Sequence, residues 1–377
     1  MRTLTWEQVR ARRLARSHLV DPAPREDPAR VVGEVCGIQA QVLGAAELAL
    51  GARVGGVTRQ DVRDELWQRR SLVKTYGARG TLHLLPAREL PLWMAALRAL
   101  PDHHGTMWYE LAGVTREQVE ELVEATGEAL DGRRLSRDEL AEAVSGRVGP
   151  WARERLSSTW GDLLAPAALT GALCFGPSRG AKVTFVRADQ WIGGWRDEDP
   201  RAGLLEVLRR FVAAYGPTTP RAFGRWFATE PATARELFAE LRGLAEVEVD
   251  GWRAWMLAAD LDEPFGTAGD VLRLLPQYDS FVIGSRPREQ LLGFDAQARV
   301  RAYRQGRYEG VVALPTLLLD GLVAGIWERR GRGRRVGITV ETTAELTPRQ
   351  QRRLRAEVER VGAFLQAEAS LTLGVLD

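Results

Sequence analysis

One arrangement recurs three times along this chain and constrains its fold more than any other feature. Helical segments are followed each time by two short strands around a polar or glycine-containing turn. The first copy opens a helix at Thr58 ("TRQDVRDELWQRR") and continues as "SLVKTYGARGTLHLL". In the second, Ser136 and Glu139 have capping-box spacing at the head of "SRDELAEAV"; a helix follows near residues 151–169, then "LCFGPSRGAKVTFV". The third runs "TTPRAFGRWF", "EPATARELFAEL" and "LAEVEVDGWRAWML". Helix, helix and a two-stranded wing is the plan of a winged helix, a variant of helix-turn-helix. The expected class is therefore α+β: three tandem winged helices over residues 1–100, 101–195 and 196–262, then a β-rich α+β domain over 263–377.

Charge distinguishes the wings. The formal net charge is only +2, so the molecule as a whole is no basic nucleic-acid binder. Lys74 and Lys182 are the only lysines; they fall in the first two wings beside Arg79 and Arg179. The third wing carries Glu246, Glu248 and Asp250, so phosphate contact is expected of the first two only. Beyond residue 265, "DVLRLLPQYDSFVIG" and "RVRAYRQGRYEGVVALPTLLL" read as strands, with "RQGRY" as a hairpin tip. That hairpin bears Arg299, Arg301, Arg304 and Arg307 and is the candidate DNA-contacting element; "ERRGRGRRVG" adds arginines 329, 330, 332, 334 and 335 in an expected loop. A last helix is marked by Thr347, Pro348 and Gln350, with Leu354, Val358, Val361 and Leu365 on its inner face.

Much familiar chemistry is missing. No P-loop, dinucleotide fingerprint or GxSxG elbow is present. Cys36 and Cys174 form neither a CxxC pair nor a disulfide framework, and the charged first residues lack a secretion-signal core. No apolar run is long enough for a membrane span. A cytoplasmic, monomeric protein without cofactor or metal is expected; His103 and His104 lack a carboxylate–histidine motif at ligand spacing. What stands out is "VCGIQAQVLG", where Gln39 and Gln41 interrupt an apolar stretch. A buried amide is costly unless hydrogen-bonded, so the pair either caps backbone groups or holds something. Gly37 and Gly44 flank it and favour a helix break, and in extended or sharply turned chain both amides share one side.

"GIQAQVLGAAELALGARV", "LVKTYGARGTLHLLPARELPLW", "LLPQYDSFVIGSR" and "DGLVAGIWE", in that order, resemble the blocks of the winged-helix DNA glycosylases of the AlkZ/YcaQ group. The resemblance runs from near residue 30 to near 330. It implies three tandem winged helices, a β-hairpin that enters DNA, and hydrolysis of the N-glycosidic bond of alkylated purines. Carried over by position, the catalytic glutamine pair falls on Gln39 and Gln41. Where one branch has an aspartate this chain has Gln41, which places it nearer the azinomycin-resistance branch and implies unhooking of bulky or interstrand cross-links in bacterial double-stranded DNA. Tyr76, Arg79 and His83 in the first wing are expected to meet DNA or seat the adduct; Trp67 or Trp93 would line a pocket; Asp279 would be structural. The competing reading is a non-catalytic winged-helix regulator, distinguished by binding without release of a base.

Overall fold

The computed structural model describes residues 1–100, 109–110, 113–157, 162–267, 269–292, 310–331 and 333–376. The chain divides into two compact units, one formed by Met1–Arg63 with Leu208–Asp377, the other by Asp64–Val207.

In the first unit, α1 (Trp6–Arg16) opens with a full capping box between Thr5 and Gln8. It buries Val9 and Leu14 together with Arg13, whose guanidinium donates to the carbonyls of Tyr215 (2.9 Å) and Pro217 (2.7 Å). Burial lowers the Arg13 pKa to about 9, and its charge is stabilised by those carbonyls. α2 (Pro28–Glu34) is capped by Asp27, with proline at its first position. The short strand β2 (Ile38–Gln39), α3 (Leu43–Gly51) and α4 (Arg59–Trp67) follow, the last four residues of α4 already belonging to the second unit; Thr58 and Asp61 cap α4 reciprocally. Strand β1 (Arg2–Leu4) pairs parallel with β8 (Leu244–Val249), which pairs antiparallel with β9 (Trp252–Leu257). The β8–β9 turn is Asp250–Gly251, with φ of 43° and 83°, the primed geometry that a tight hairpin favours. Leu4, Val9, Val247, Val249 and Met256 form the apolar cluster beneath. Helices Pro220–Phe227 and Pro231–Glu240 precede β8, and Thr218 bridges to Trp255 in β9.

The same unit holds a five-stranded sheet, β10 (Leu272–Leu275), β11 (Thr316–Leu319), β12 (Leu322–Arg330), β13 (Arg335–Thr342) and β14 (Glu368–Leu373) in spatial order. Its pairs are antiparallel except β13–β14, which the C-terminal helix Pro348–Leu365 connects in parallel. Thr347, Pro348 and Gln350 start that helix as expected. Leu354, Val358 and Val361 are buried, but Phe364 takes the fourth inner position and Leu365 is only half-buried. "ERRGRGRRVG" is not a plain loop: Arg329 and Arg330 end β12, Arg335 begins β13, and Gly331 (φ 100°) and Gly333 (φ 72°) lie between. Pro276 ends β10, and "SFVIG" is a short helix, Ser280–Gly284, because the Asp279 side chain caps it by accepting from the Phe281 N–H at 2.9 Å. The segment expected to form the arginine-bearing hairpin, with Arg299, Arg301, Arg304 and Arg307, lies outside the described residues, as do His103 and His104.

The second unit contains the hairpin β3 (Leu72–Tyr76) and β4 (Leu82–Pro86), α5 (Leu90–Arg98), helix Arg116–Ala129, and β5 (Leu135–Ser136). Helix Arg137–Val148 carries the expected Ser136–Glu139 capping box. The helix expected over 151–169 is divided into Pro150–Ser157 and Ala165–Leu169, with Pro166 in the first turn of the second piece. Strands β6 (Cys174–Arg179) and β7 (Lys182–Val186) complete a sheet in the order β5-β7-β6. Tyr76, Phe175 and Phe185 anchor its core, with Tyr76 and Phe175 ring centres 6.0 Å apart.

Candidate functional site

The glutamine pair sits where one helix stops and another starts. α2 ends with Cys36 in the left-handed region (φ 60°) and Gly37 at φ 83°. The Gly37 N–H donates to Val32 (2.8 Å) and the Cys36 N–H to Gly33 (3.0 Å), the two bonds of a Schellman ending. A cysteine at the left-handed position is strained by about 1 kcal/mol, so neighbours must hold it. Two do. The Tyr215 hydroxyl donates to the Val35 carbonyl and the Ser280 hydroxyl to the Gly37 carbonyl, each at 2.9 Å and buried. The chain leaves this turn extended as Ile38–Gln39, with Gln39 8% exposed and Ala40 fully buried, then bends at Gln41, which is exposed. The expected helix break is therefore present. Cys36–Gly37 makes it, whereas Gly44 lies inside α3.

A buried ion pair stands behind this turn. Arg53 and Asp279, both without solvent exposure, exchange two bonds of 2.7 Å, and Arg53 also donates to the Ala49 carbonyl at 2.8 Å. Burial works against the Arg53 charge, but the attraction and hydrogen bonds of Asp279 outweigh it and leave the pKa raised. Asp279 heads the short helix whose next residue, Ser280, holds Gly37. Gly284, at its end, lets the Tyr215 ring lie against it: a Cβ there would come within 2.3 Å of that ring. Asp279 was legible as structural; Arg53, Tyr215 and Ser280 were not. A lone arginine inside "LALGARVGG" is the one signal for them, since such a charge demands an internal anion.

On α3, Glu47 is buried and meets Arg63 at 2.7 Å and Arg59 at 3.5 Å. Arg329 on β12 feels both groups: burial and the Arg59 charge lower its pKa, and Glu47 opposes them. Three cations thus surround one carboxylate eight positions after Gln39, in the stretch that follows the motif.

The wing residues, in the second unit, are placed unequally. Lys74 in β3 sets its ammonium 4.8 Å from the Phe175 ring centre. Tyr76 (8% exposed) and His83 (4%) are core residues, not surface groups. Burial, with the Arg79 charge beside it, pushes the His83 pKa down to about 3, and its Nδ1 lies 2.9 Å from the Thr81 carbonyl. Arg79 occupies the left-handed region (φ 61°) of the β3–β4 loop and is half-buried. Arg179 and Lys182 are exposed on β6 and β7 but paired with Glu139 (3.0 Å) and Asp138 (3.2 Å). Trp93 is buried within α5, and Trp67 ends α4 half-buried. Among the described residues no group of three metal-ligating side chains could hold a metal ion, and no helix is long and apolar enough to cross a membrane.

The fold and sequence have known counterparts. The chain is 34% identical over 332 residues to the interstrand DNA cross-link repair glycosylase of Streptomyces sahachiroi, covering 86% of this chain and 88% of that protein. The solved structure of the Streptomyces sahachiroi DNA glycosylase AlkZ matches with a TM-score of 0.85 and 30% identity, over 99% of this chain and 100% of that one. The family model described as DNA glycosylase AlkZ-like matches residues 32–364, a span that contains Gln39, Gln41, Arg53 and Asp279. The chain belongs to the AlkZ-like DNA glycosylases, enzymes that cleave N-glycosyl bonds.

Proposed function

We propose that this enzyme is a monofunctional glycosylase for purines alkylated at N7, and that it unhooks bulky or interstrand adducts of the azinomycin type in bacterial DNA. Gln39 and Gln41 hold the attacking water. The observation that carries this reading is their place in an extended, helix-breaking segment fixed by two buried hydrogen bonds. An N7-alkylguanine is cationic, so its glycosidic bond is weakened and the departing base needs no proton. What remains is to bring a water to C1′ and favour the oxocarbenium-like transition state. Amide carbonyls can accept the water's hydrogens, turn its lone pair toward C1′, and set their dipoles against the developing positive charge. As the C1′–O bond forms, the glycosidic electron pair leaves with the base and the water sheds its proton to solvent. The products are free base and an abasic site.

DNA is held, on this reading, by three winged-helix modules within residues 1–100, 101–195 and 196–262 and by a hairpin of the 263–377 domain. Helices followed by a two-stranded hairpin recur three times, at β3–β4, β6–β7 and β8–β9, and support the modules. Lys74, Arg79, Arg179, Lys182 and the arginines 299, 301, 304 and 307 supply phosphate contacts. Tyr76 and His83 shape the first wing from inside. The enzyme acts as a monomer on cytoplasmic, nucleoid DNA.

The test is release of base from duplexes carrying N7-methylguanine or a nitrogen-mustard cross-link. Gln39→Ala and Gln41→Ala should each lower single-turnover release by about 100-fold with DNA binding retained. Full activity in both variants would remove the glutamines from the mechanism, and binding without release by the unaltered enzyme would remove the alkylpurine substrate.

A further inference from the structure

A cavity of about 350 Å³ lies in the first unit, between helix Pro220–Phe227, the start of β9, Trp6 and the segment 286–289. Its lining includes five arginines, at 221, 225, 253, 286 and 288, against one carboxylate, Glu289. Arg253 is partly committed, through its ion pair with Glu246. Arg221 and Arg225, one turn apart on the helix, are both exposed and carry no ion pair among the described residues. The wall beside them is aromatic. Trp252 is 55% exposed, held edge-on by Trp6 with ring centres 6.2 Å apart and planes at 76°.

An exposed indole beside cations of planar guanidinium type matches a ligand that joins a flat ring to an anion. We propose that this cavity binds one nucleotide unit, its phosphate on Arg221 and Arg225 and its base stacked on Trp252. The site belongs to the module whose wing, with Glu246, Glu248 and Asp250, was expected to avoid DNA. Trp252 follows the β8–β9 turn, so the nucleotide is gripped at the tip of that wing, where Arg253 offsets Glu246 and Arg221 and Arg225 line the same cavity. Neither the glutamine pair nor the cations of the first two wings line this cavity, so the site stands apart from the excision chemistry. Two sources share the ligand chemistry: a free nucleoside monophosphate, and one residue of a DNA strand.

Isothermal titration of the full chain with thymidine 5′-monophosphate, thymidine, inorganic phosphate and a four-residue oligothymidylate tests this. The monophosphate should bind at least roughly tenfold more tightly than thymidine or phosphate alone, because stacking and phosphate contacts add. Trp252→Ala and Arg221→Glu/Arg225→Glu should each weaken it by roughly tenfold or more, whereas Trp252→Phe keeps most of the affinity because its ring still stacks. An oligonucleotide affinity that exceeds the monophosphate's and falls with the same substitutions identifies strand DNA as the source. Equal affinities identify the free nucleotide. Nucleotide binding that is absent at millimolar concentration, or indifferent to both Trp252→Ala and the double arginine reversal, overturns the proposal whatever the excision assay shows.

Discussion

Asp279→Asn is the perturbation on which the account of the site depends most directly. Asp279 gives both carboxylate oxygens to Arg53 at 2.7 Å, and neither side chain is exposed to water. Asparagine keeps the shape and one acceptor but leaves the guanidinium charge buried without its counterion. Removing one partner of such a pair costs about 3–5 kcal/mol, and the retained acceptor points to the lower end, about 3. With a urea dependence of roughly 3 kcal/mol per molar, the first unit's unfolding midpoint should fall by about 1 M, read by tryptophan fluorescence. Arg53→Met/Asp279→Leu removes both charges at similar volume and should recover most of the loss. A single variant within about 1 kcal/mol of the parent, or a double variant as unstable as the two single losses added, would refute the reasoning. A second readout follows from the chain order: Asp279 starts the helix that brings Ser280 to Gly37, so base release should slow even where Asp279→Asn is fully folded.

His83 makes stability depend on pH. Its folded pKa, about 3, lies below the usual 6.5, so the unfolded chain takes the proton first. Stability is complete above that usual value and declines by about 1.4 kcal/mol per pH unit as pH falls toward the folded one; His83→Gln should flatten the decline in acid denaturation. Tyr215→Phe and Ser280→Ala each delete one hydrogen bond to the turn before Gln39 and should cost about 1 kcal/mol in stability, measured by denaturant midpoint. Gly284→Ala drives a methyl into the Tyr215 ring and should cost about 1–3 kcal/mol; a neutral result would mean that the ring moves freely.

Features set by neighbours in sequence were legible; features set by partners far along the chain were not. Ser136 with Glu139, and Thr347 with Pro348 and Gln350, mark helix starts because a cap is a local hydrogen-bond exchange. The break before Gln39 was legible for the same reason, although Cys36 and Gly37 make it without help from Gly44. "SFVIG" looks like a strand by its β-branched residues, yet one side chain, Asp279, is enough to turn it into a helix. Tyr76 and His83 lie on opposite faces of one hairpin, since Tyr76 pairs with Leu82 and His83 with Thr75, and both faces are buried, which a wing read as a surface element does not announce; the hydrophobic cluster around Phe175 and Phe185 takes Tyr76 inward. The Arg53–Asp279 pair spans 226 positions, and only the cost of burying a lone charge hints at it. The arginine–tryptophan cavity has no local signature at all, since its walls come from segments near 6, 220, 252 and 287.

The distribution of these long-range bonds bears on the proposed mechanism, in which amides and not a carboxylate hold the water. A carboxylate base could tolerate some misplacement because its proton affinity still activates water. Glutamines lower the barrier mainly by orientation, and a displacement of about 1 Å can cost on the order of 100-fold in rate. Their backbone should therefore be fixed from outside the local segment. The Val35 and Gly37 carbonyls are held by residues 180 and 243 positions away, and the residue carrying one of those bonds follows a buried aspartate locked to Arg53. Stability alone does not require this, since each bond is worth only about 1 kcal/mol. Orientation does. Tyr215→Phe should accordingly reduce excision by more than its loss of folded protein accounts for; excision that tracks the folded fraction alone would mean that these bonds serve the fold and not the glutamines.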